Sequence, residues 1–225
     1  GTVRCWGYNG NGQLGNGTNS TSYTPVMVAG ITTARFIVAG THHACAVLAD
    51  ATVRCWGYNA YGQLGDGTAT DRFSPVVVSG LAGVTQVSAN GQTTCAVLAS
   101  GGVRCWGYNG YGDVGDGTTA TRTTPVAVSG ISNAVEVATA DDHSCARLAD
   151  GTVRCWGYNG NGNLGNGSTA VSYTPVVVSG LSGATELDVA YHHSCALLTD
   201  RSIRCWGYNG NYQLGDGTTA NRTTP

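Results

Sequence analysis

A chain of 225 residues with 35 glycines, 41% hydrophobic and only 11% charged side chains is glycine-rich and weakly charged, yet too apolar for a disordered polymer. Its eleven cations are all arginine and face thirteen acids; the net charge of −2 excludes the basic field that holds nucleic acid or an anionic membrane. No apolar run reaches the ~18 residues of a spanning helix, so no membrane insertion is expected.

In chain order, the elements recur. Trp6, Trp56, Trp106, Trp156 and Trp206 return every 50 residues, as do Pro25, Pro75, Pro125, Pro175 and Pro225. The string Arg-Cys-Trp-Gly-Tyr-Asn starts at Arg4, Arg54, Arg104, Arg154 and Arg204. Five copies of one unit follow: a partial first copy at 1–30, full copies at 31–80, 81–130 and 131–180, and an incomplete fifth at 181–225. The fourth copy shows the elements of all. Val135–Ala138 is expected as a first strand, Ser144–Leu148 as a second and Thr152–Trp156 as a third. Pro175–Val178 is expected as a fourth, with proline in first place, where a missing N–H is tolerated. Ala149-Asp150-Gly151 is a tight-turn signal, and Asn159-Gly160-Asn161-Gly162 opens a long loop before the last strand. No segment carries an apolar stripe of helical period and length.

Four short strands per unit, without helices, match the blade of an all-β propeller made of four-stranded antiparallel sheets. Radial stacking would cover both faces of each blade, which fits strands that are apolar on both sides. A linear β-solenoid competes, but its coils are usually about half this long.

The nine cysteines keep the same period. Cys45 and Cys55, Cys95 and Cys105, Cys145 and Cys155, and Cys195 and Cys205 each straddle the tight turn. A three-residue loop at 49–51 sets Leu48 against Thr52, Val47 against Val53, and Cys45 opposite Cys55. Directly opposed Cβ atoms lie ~4.5–5.5 Å apart, close enough for twist to bring sulfurs into bonding range. Four cross-strand disulfides are expected, with Cys5 unpaired because its second strand would lie upstream of residue 1. Buried free thiols are the alternative; zinc fits poorly, because the spacing is Cys-x9-Cys within one hairpin. Bridged hairpins point to an oxidising, extracytoplasmic setting such as a cell surface.

Asp150-Gly151-Thr152-Val153-Arg154-Cys155-Trp156-Gly157, Gly12-Gln13-Leu14-Gly15, and His193-Ser194 before an apolar strand resemble the regulator of chromosome condensation (RCC1-type) repeat. The resemblance covers all 225 residues, and the cysteines liken the chain to a disulfide-containing extracellular variety of that family. It implies seven-bladed propellers, usually sealed by strands from both termini. A chain starting at Gly1 in a third strand and ending at Pro225 before a fourth cannot close such a ring alone. A mature form or excised piece of a longer protein, or a subunit completed by a neighbour, is expected. The resemblance also implies that the histidine before the second strand is a structural hydrogen-bond former.

His42-His43, Asp141-Asp142-His143 and His192-His193 carry metal and catalytic chemistry in principle. The corresponding third-copy residues are Gln92-Thr93-Thr94, so a ligand set would be incomplete, and no metal or cofactor is expected. Ser144 and Ser194 follow histidines directly, and consecutive strand residues point to opposite faces, so no catalytic residues are assigned. Gly10-x-Gly12-x-x-Gly15 precedes no helix and cannot cradle a dinucleotide. The arginines two before each tryptophan share its strand face and suit stacking between blades.

The copies differ most in the long loop before the fourth strand. Tyr23, Tyr61, Arg72, Phe73, Tyr111, Arg122, Tyr173, Tyr212 and Arg222 are candidate partner-binding residues there, with solvated turns as the alternative. Asn16, Asn19, Asn166 and Asn221 sit in sequons that matter only in a glycosylating source. The expected function is a non-enzymatic, extracytoplasmic structural or adhesive module that binds protein or self-associates, with carbohydrate as a further partner class. The alternative is a secreted propeller that inhibits or regulates another protein. The resembled family supplies precedents in a secreted β-lactamase inhibitor and in guanine-nucleotide exchange factors.

Overall fold

The computed structural model describes all residues, Gly1–Pro225. The first copy contributes β1 (Arg4–Gly7) and β2 (Ser22–Met27). The second copy forms β3 (Ala34–Ala39), β4 (His43–Leu48), β5 (Val53–Gly57) and β6 (Arg72–Val77). In the third, β7 (Val84–Asn90), β8 (Thr93–Leu98), β9 (Val103–Gly107) and β10 (Arg122–Ala127) follow the same plan. The fourth copy repeats it in β11 (Ala134–Thr139), β12 (His143–Leu148), β13 (Val153–Gly157) and β14 (Ser172–Val177). The fifth carries β15 (Ala184–Ala190), β16 (His193–Leu198) and β17 (Ile203–Gly207). Each full copy is one four-stranded antiparallel meander, and there is no helix.

The hairpin between second and third strands has the expected register, Val47 opposite Val53 and Cys45 opposite Cys55. Two bonds from the Asp50 carboxylate fix its turn: the Thr52 N–H at 3.0 Å and the Thr52 hydroxyl at 2.7 Å. Such an Asx geometry lets a short loop reverse the chain. Residue 51 then needs positive φ. Glycine supplies it at 101 and 151, while Ala51 (φ 62°) and Arg201 (φ 68°) adopt it against their Cβ. Cysteines bridge in all four hairpins, with Cα atoms 4.0–4.1 Å apart in each; those of the first three bridges are fully buried and Cys195 and Cys205 are partly buried.

The fourth strands begin three residues earlier than the proline rule suggests. Pro175 is the fourth residue of β14, not the first of a strand. Its tolerance comes from a bulge: Cys155 faces Val176 and Gly157 faces Ser172, so Tyr173, Thr174 and Pro175 together oppose Trp156. Ladder donors are not required inside such an irregularity.

Side-chain packing runs between copies. The cluster holding Cys45, Val53, Cys55 and Leu64 of the second copy continues into Val84, Val87, Ala96 and Trp106 of the third. The same construction recurs at the other boundaries. The first strands β3, β7, β11 and β15 neighbour one another around the inner side of the array. There Gln86 spans two copies, donating to the Val137 carbonyl and accepting the Val137 N–H, both at 2.8 Å. The meander puts the first-to-second and third-to-fourth connections at one end of every sheet, here the loop face. The tight turns and the links between copies occupy the opposite end, the turn face.

Candidate functional site

The loop face is built on a bond pattern that crosses each copy boundary. Trp106 Nε1 donates to the Gln63 carbonyl at 2.8 Å, and the Thr94 hydroxyl donates to the same oxygen at 2.8 Å. With its one hydrogen so used, Thr94 must accept from His43 Nε2, 2.8 Å away. His43 is therefore the Nε2–H tautomer, with a bare Nδ1 that has no partner. His143, Ser194, the Asn163 carbonyl and Trp206 repeat the relay two boundaries later. Burial lowers the His43 pKa to about 4 and that of His143 to about 3, so both rings are neutral. Neither is placed to coordinate metal or move a proton to solvent.

A buried asparagine organises each long loop. Asn59 Oδ1 accepts the Leu64 N–H at 2.9 Å, while Nδ2 reaches the Thr70 carbonyl at 3.0 Å. Asn109, Asn159 and Asn209 do the same. This holds a segment without strand partners in a fixed path. The loop then returns past glycine: a Cβ at Gly65 would lie 2.8 Å from Trp106 Nε1, so the indole packs directly on bare backbone.

On this frame, aromatic rings form a continuous arc. His42, Tyr58, Tyr61, Tyr108, Tyr111, Tyr158, His192 and Tyr208 follow one another with centroids 5.3–6.5 Å apart, mostly edge to face. These separations lie in the attractive range for aromatic pairs. Tyr191 adds a branch, 4.0 Å from His192. Beside the arc, a cleft of about 270 Å³ opens among first-to-second-strand connections of four copies, lined by Thr41, His42, Gly91, Asp141, Asp142 and Tyr191 among others.

The Regulator of chromosome condensation (RCC1) repeat model matches residues 1–47, 50–97, 100–147 and 150–197. The chain belongs to the RCC1 repeat family. A second model of the same description matches 35–63, 84–113, 134–163 and 191–213. No curated protein matches the sequence. Among solved structures, human WBSCR16 is similar with a TM-score of 0.87 and 24% identity, over 98% of this chain and 60% of that one. Prp20p from Saccharomyces cerevisiae aligns with a TM-score of 0.84 at 23% identity, over 99% of this chain and 58% of that one. The ectodomain of the Physcomitrella patens receptor kinase CR4 aligns at 0.53 and 20%, over 86% and 46% of the two chains. These likenesses show the propeller fold, and the RCC1 repeat chain spans about 60% of the length of the first of them.

The structure separates the candidate residues of the RCC1 repeats into groups. Arg72, Arg122 and Arg222 fold onto Asp66, Asp116 and Asp216 of their own loops, at 2.7, 2.6 and 2.7 Å. Their guanidinium groups close the loop and do not reach outward unpaired. Tyr61 and Tyr111 belong to the arc. Phe73 and Tyr173 lie over Gly12 and Gly112 of the preceding copy, where a Cβ would come within 2.4 and 2.6 Å of the ring. Tyr23 is their counterpart in the first copy; with no earlier repeat in this sequence to cover it, the ring is 93% exposed. Trp6 is 64% exposed for the same reason, while Trp56, Trp106, Trp156 and Trp206 are fully buried. Tyr212 stands where the other copies have glycine, at φ 62° and largely exposed. Cys5 is free and half-buried.

Sequence reasoning missed the inner tyrosines 58, 108, 158 and 208. The available signal was their place in every Trp-Gly-Tyr-Asn string, where a strand running on into a loop sends the side chain off the sheet. The indoles also differ from the stacking expectation: both the ring and its N–H engage the preceding copy's loop.

Proposed function

We propose that this RCC1 repeat chain is a non-enzymatic, extracytoplasmic module that binds a protein partner through its loop face, in a structural or adhesive surface role. The carrying observation is the aromatic arc, a row of rings crossing four copies on one end of a rigid array. Tyrosines on well-supported loops supply large contact area at low entropic cost. Four bridged hairpins support the oxidising compartment.

A regulatory or inhibitory propeller is the second reading. The likeness to Prp20p, a protein described by its binding to Gsp1p and histones, favours it. An exchange factor working in a reducing cytosol would not keep the four bridges.

The test is site-specific photo-crosslinking of the protein in its native extracellular setting. A photoreactive phenylalanine analogue replaces Tyr111 on the loop face or Ala149 on the turn face. A discrete protein adduct from position 111 and none from 149 is expected. Equal labelling from both faces, or none from 111, contradicts the proposal.

A further inference from the structure

The inner cleft of the loop face combines two features that ask for the same ligand. The first is unbalanced negative charge. The chain has four ion pairs, joining Arg72 to Asp66, Arg122 to Asp116, Arg147 to Glu136 and Arg222 to Asp216. Asp141 and Asp142, which line the cleft, are in none of them, and no arginine lines it. Asp141 overhangs Gly91: a Cβ at residue 91 would lie 2.5 Å from Asp141 Oδ1, so bare backbone lets the carboxylate sit there. Outside the cleft lining, but within electrostatic reach of Asp142, is Asp113, only 1% exposed. Its Oδ2 accepts the Tyr111 N–H at 3.1 Å, but Oδ1 has no partner at all. Asp113 lies near enough to Asp142 and Tyr108 for its charge to act on both.

The second feature is the ring system. His42 and Tyr191 are in the cleft wall, and His192, Tyr158, Tyr111 and Tyr108 continue outward from it. Aromatic faces carry negative potential and attract cations that are stripped of water. His192 is the one titratable group of basic type felt by Asp142. A volume of about 270 Å³ suits one long side chain better than a drug-sized ligand.

We propose that this cleft receives an arginine or lysine side chain of the protein partner, set between the Asp141 and Asp142 carboxylates and the rings of His42 and Tyr191. The proposal rests on the loop face being the protein-binding surface and names the chemistry that surface selects. Carboxylates would pair with the cationic head while the rings pack on the alkyl stem and stack on the charge. Neutral sugars would use the rings and leave the unpaired carboxylates unanswered.

The test is a titration of the whole protein with hexa-arginine, followed by tyrosine fluorescence and calorimetry. Hexaglutamate, maltohexaose and calcium chloride are the comparison ligands. Saturable binding of hexa-arginine is expected, weakened roughly tenfold or more in the D141N/D142N double variant and unchanged in the exposed Glu186→Gln variant. Tyr191→Ala should weaken it without altering the disulfide map, which separates loss of contact from loss of fold. Equal affinity in the double variant would overturn the proposal, as would saturation by maltohexaose or calcium where hexa-arginine fails. If photo-crosslinking from position 111 persists unchanged in D141N/D142N, the cationic anchor is wrong while the protein-binding face stands.

Discussion

The indole N–H of Trp106 and the carbonyl oxygen of Gln63, residues of consecutive copies, are 2.8 Å apart in a fully buried setting. One bond of this kind is present at each of the four boundaries between copies. Trp106→Phe keeps an aromatic ring but removes the donor and part of the volume. A loss of roughly 2 kcal/mol is expected from the hydrogen bond and the cavity together. Urea denaturation should show it as a lower midpoint.

The Cys95–Cys105 bridge closes a loop of ten-residue separation between fully buried cysteines. Replacing both by alanine should cost roughly 3 kcal/mol by the loop-closure model. Cys5→Ala should cost far less, because that thiol is free. Thermal melts of the two variants under non-reducing conditions check the contrast.

Asp113 occupies the position filled by Gln63 and Asn163 in neighbouring copies, and burial pushes its carboxyl up to about 7 from an ordinary 3.8. Because the folded value is the higher one, the native state binds the proton more tightly. Stability from this residue is complete below about 4 and is lost as pH rises through about 7. His43 and His143 have the opposite sign. Their folded values, about 4 and about 3, lie below the ordinary 6.5, so stability present above 6.5 falls as pH drops toward them. A stability maximum near neutral or slightly acid pH follows. Asp113→Asn should stabilise the protein at pH 8 by an amount on the order of 2–4 kcal/mol and change little at pH 4. Denaturation midpoints at the two pH values distinguish this from a pH-independent effect.

Ala51 and Arg201 hold positive φ at the turn position where the two middle copies have Gly101 and Gly151. Glycine at either site should relieve strain and stabilise by roughly 1 kcal/mol, despite its greater unfolded-state entropy. Calorimetric melting of Ala51→Gly and Arg201→Gly, each rising by a few degrees, is the expected result.

How far these features could be read from sequence depended on their range. The register of Cys45 against Cys55 was legible, because a ten-residue spacing around a turn leaves one antiparallel alignment. Pro175 misled, since the bulge that excuses it depends on how β13 and β14 pair. The pairing of Arg72 with Asp66 had a signal: copies with Asp at this place carry Arg six residues later, whereas Asn16 and Asn166 are followed by Ser22 and Ser172. Of the adjacent pair, His43 opens β4, whose residues are all buried, while His42 precedes the strand and is exposed. The Tyr61–Tyr108 contact was not legible. It depends on the angle and spacing between neighbouring sheets, and a 50-residue period does not specify either.

The extracytoplasmic placement is tested most directly by mass spectrometry of the native protein, isolated under alkylating, non-reducing conditions and digested. Linked peptides joining Cys45 to Cys55, Cys95 to Cys105, Cys145 to Cys155 and Cys195 to Cys205 are predicted. Recovery of those eight cysteines as alkylated free thiols would contradict both the bridged hairpins and the compartment inferred from them.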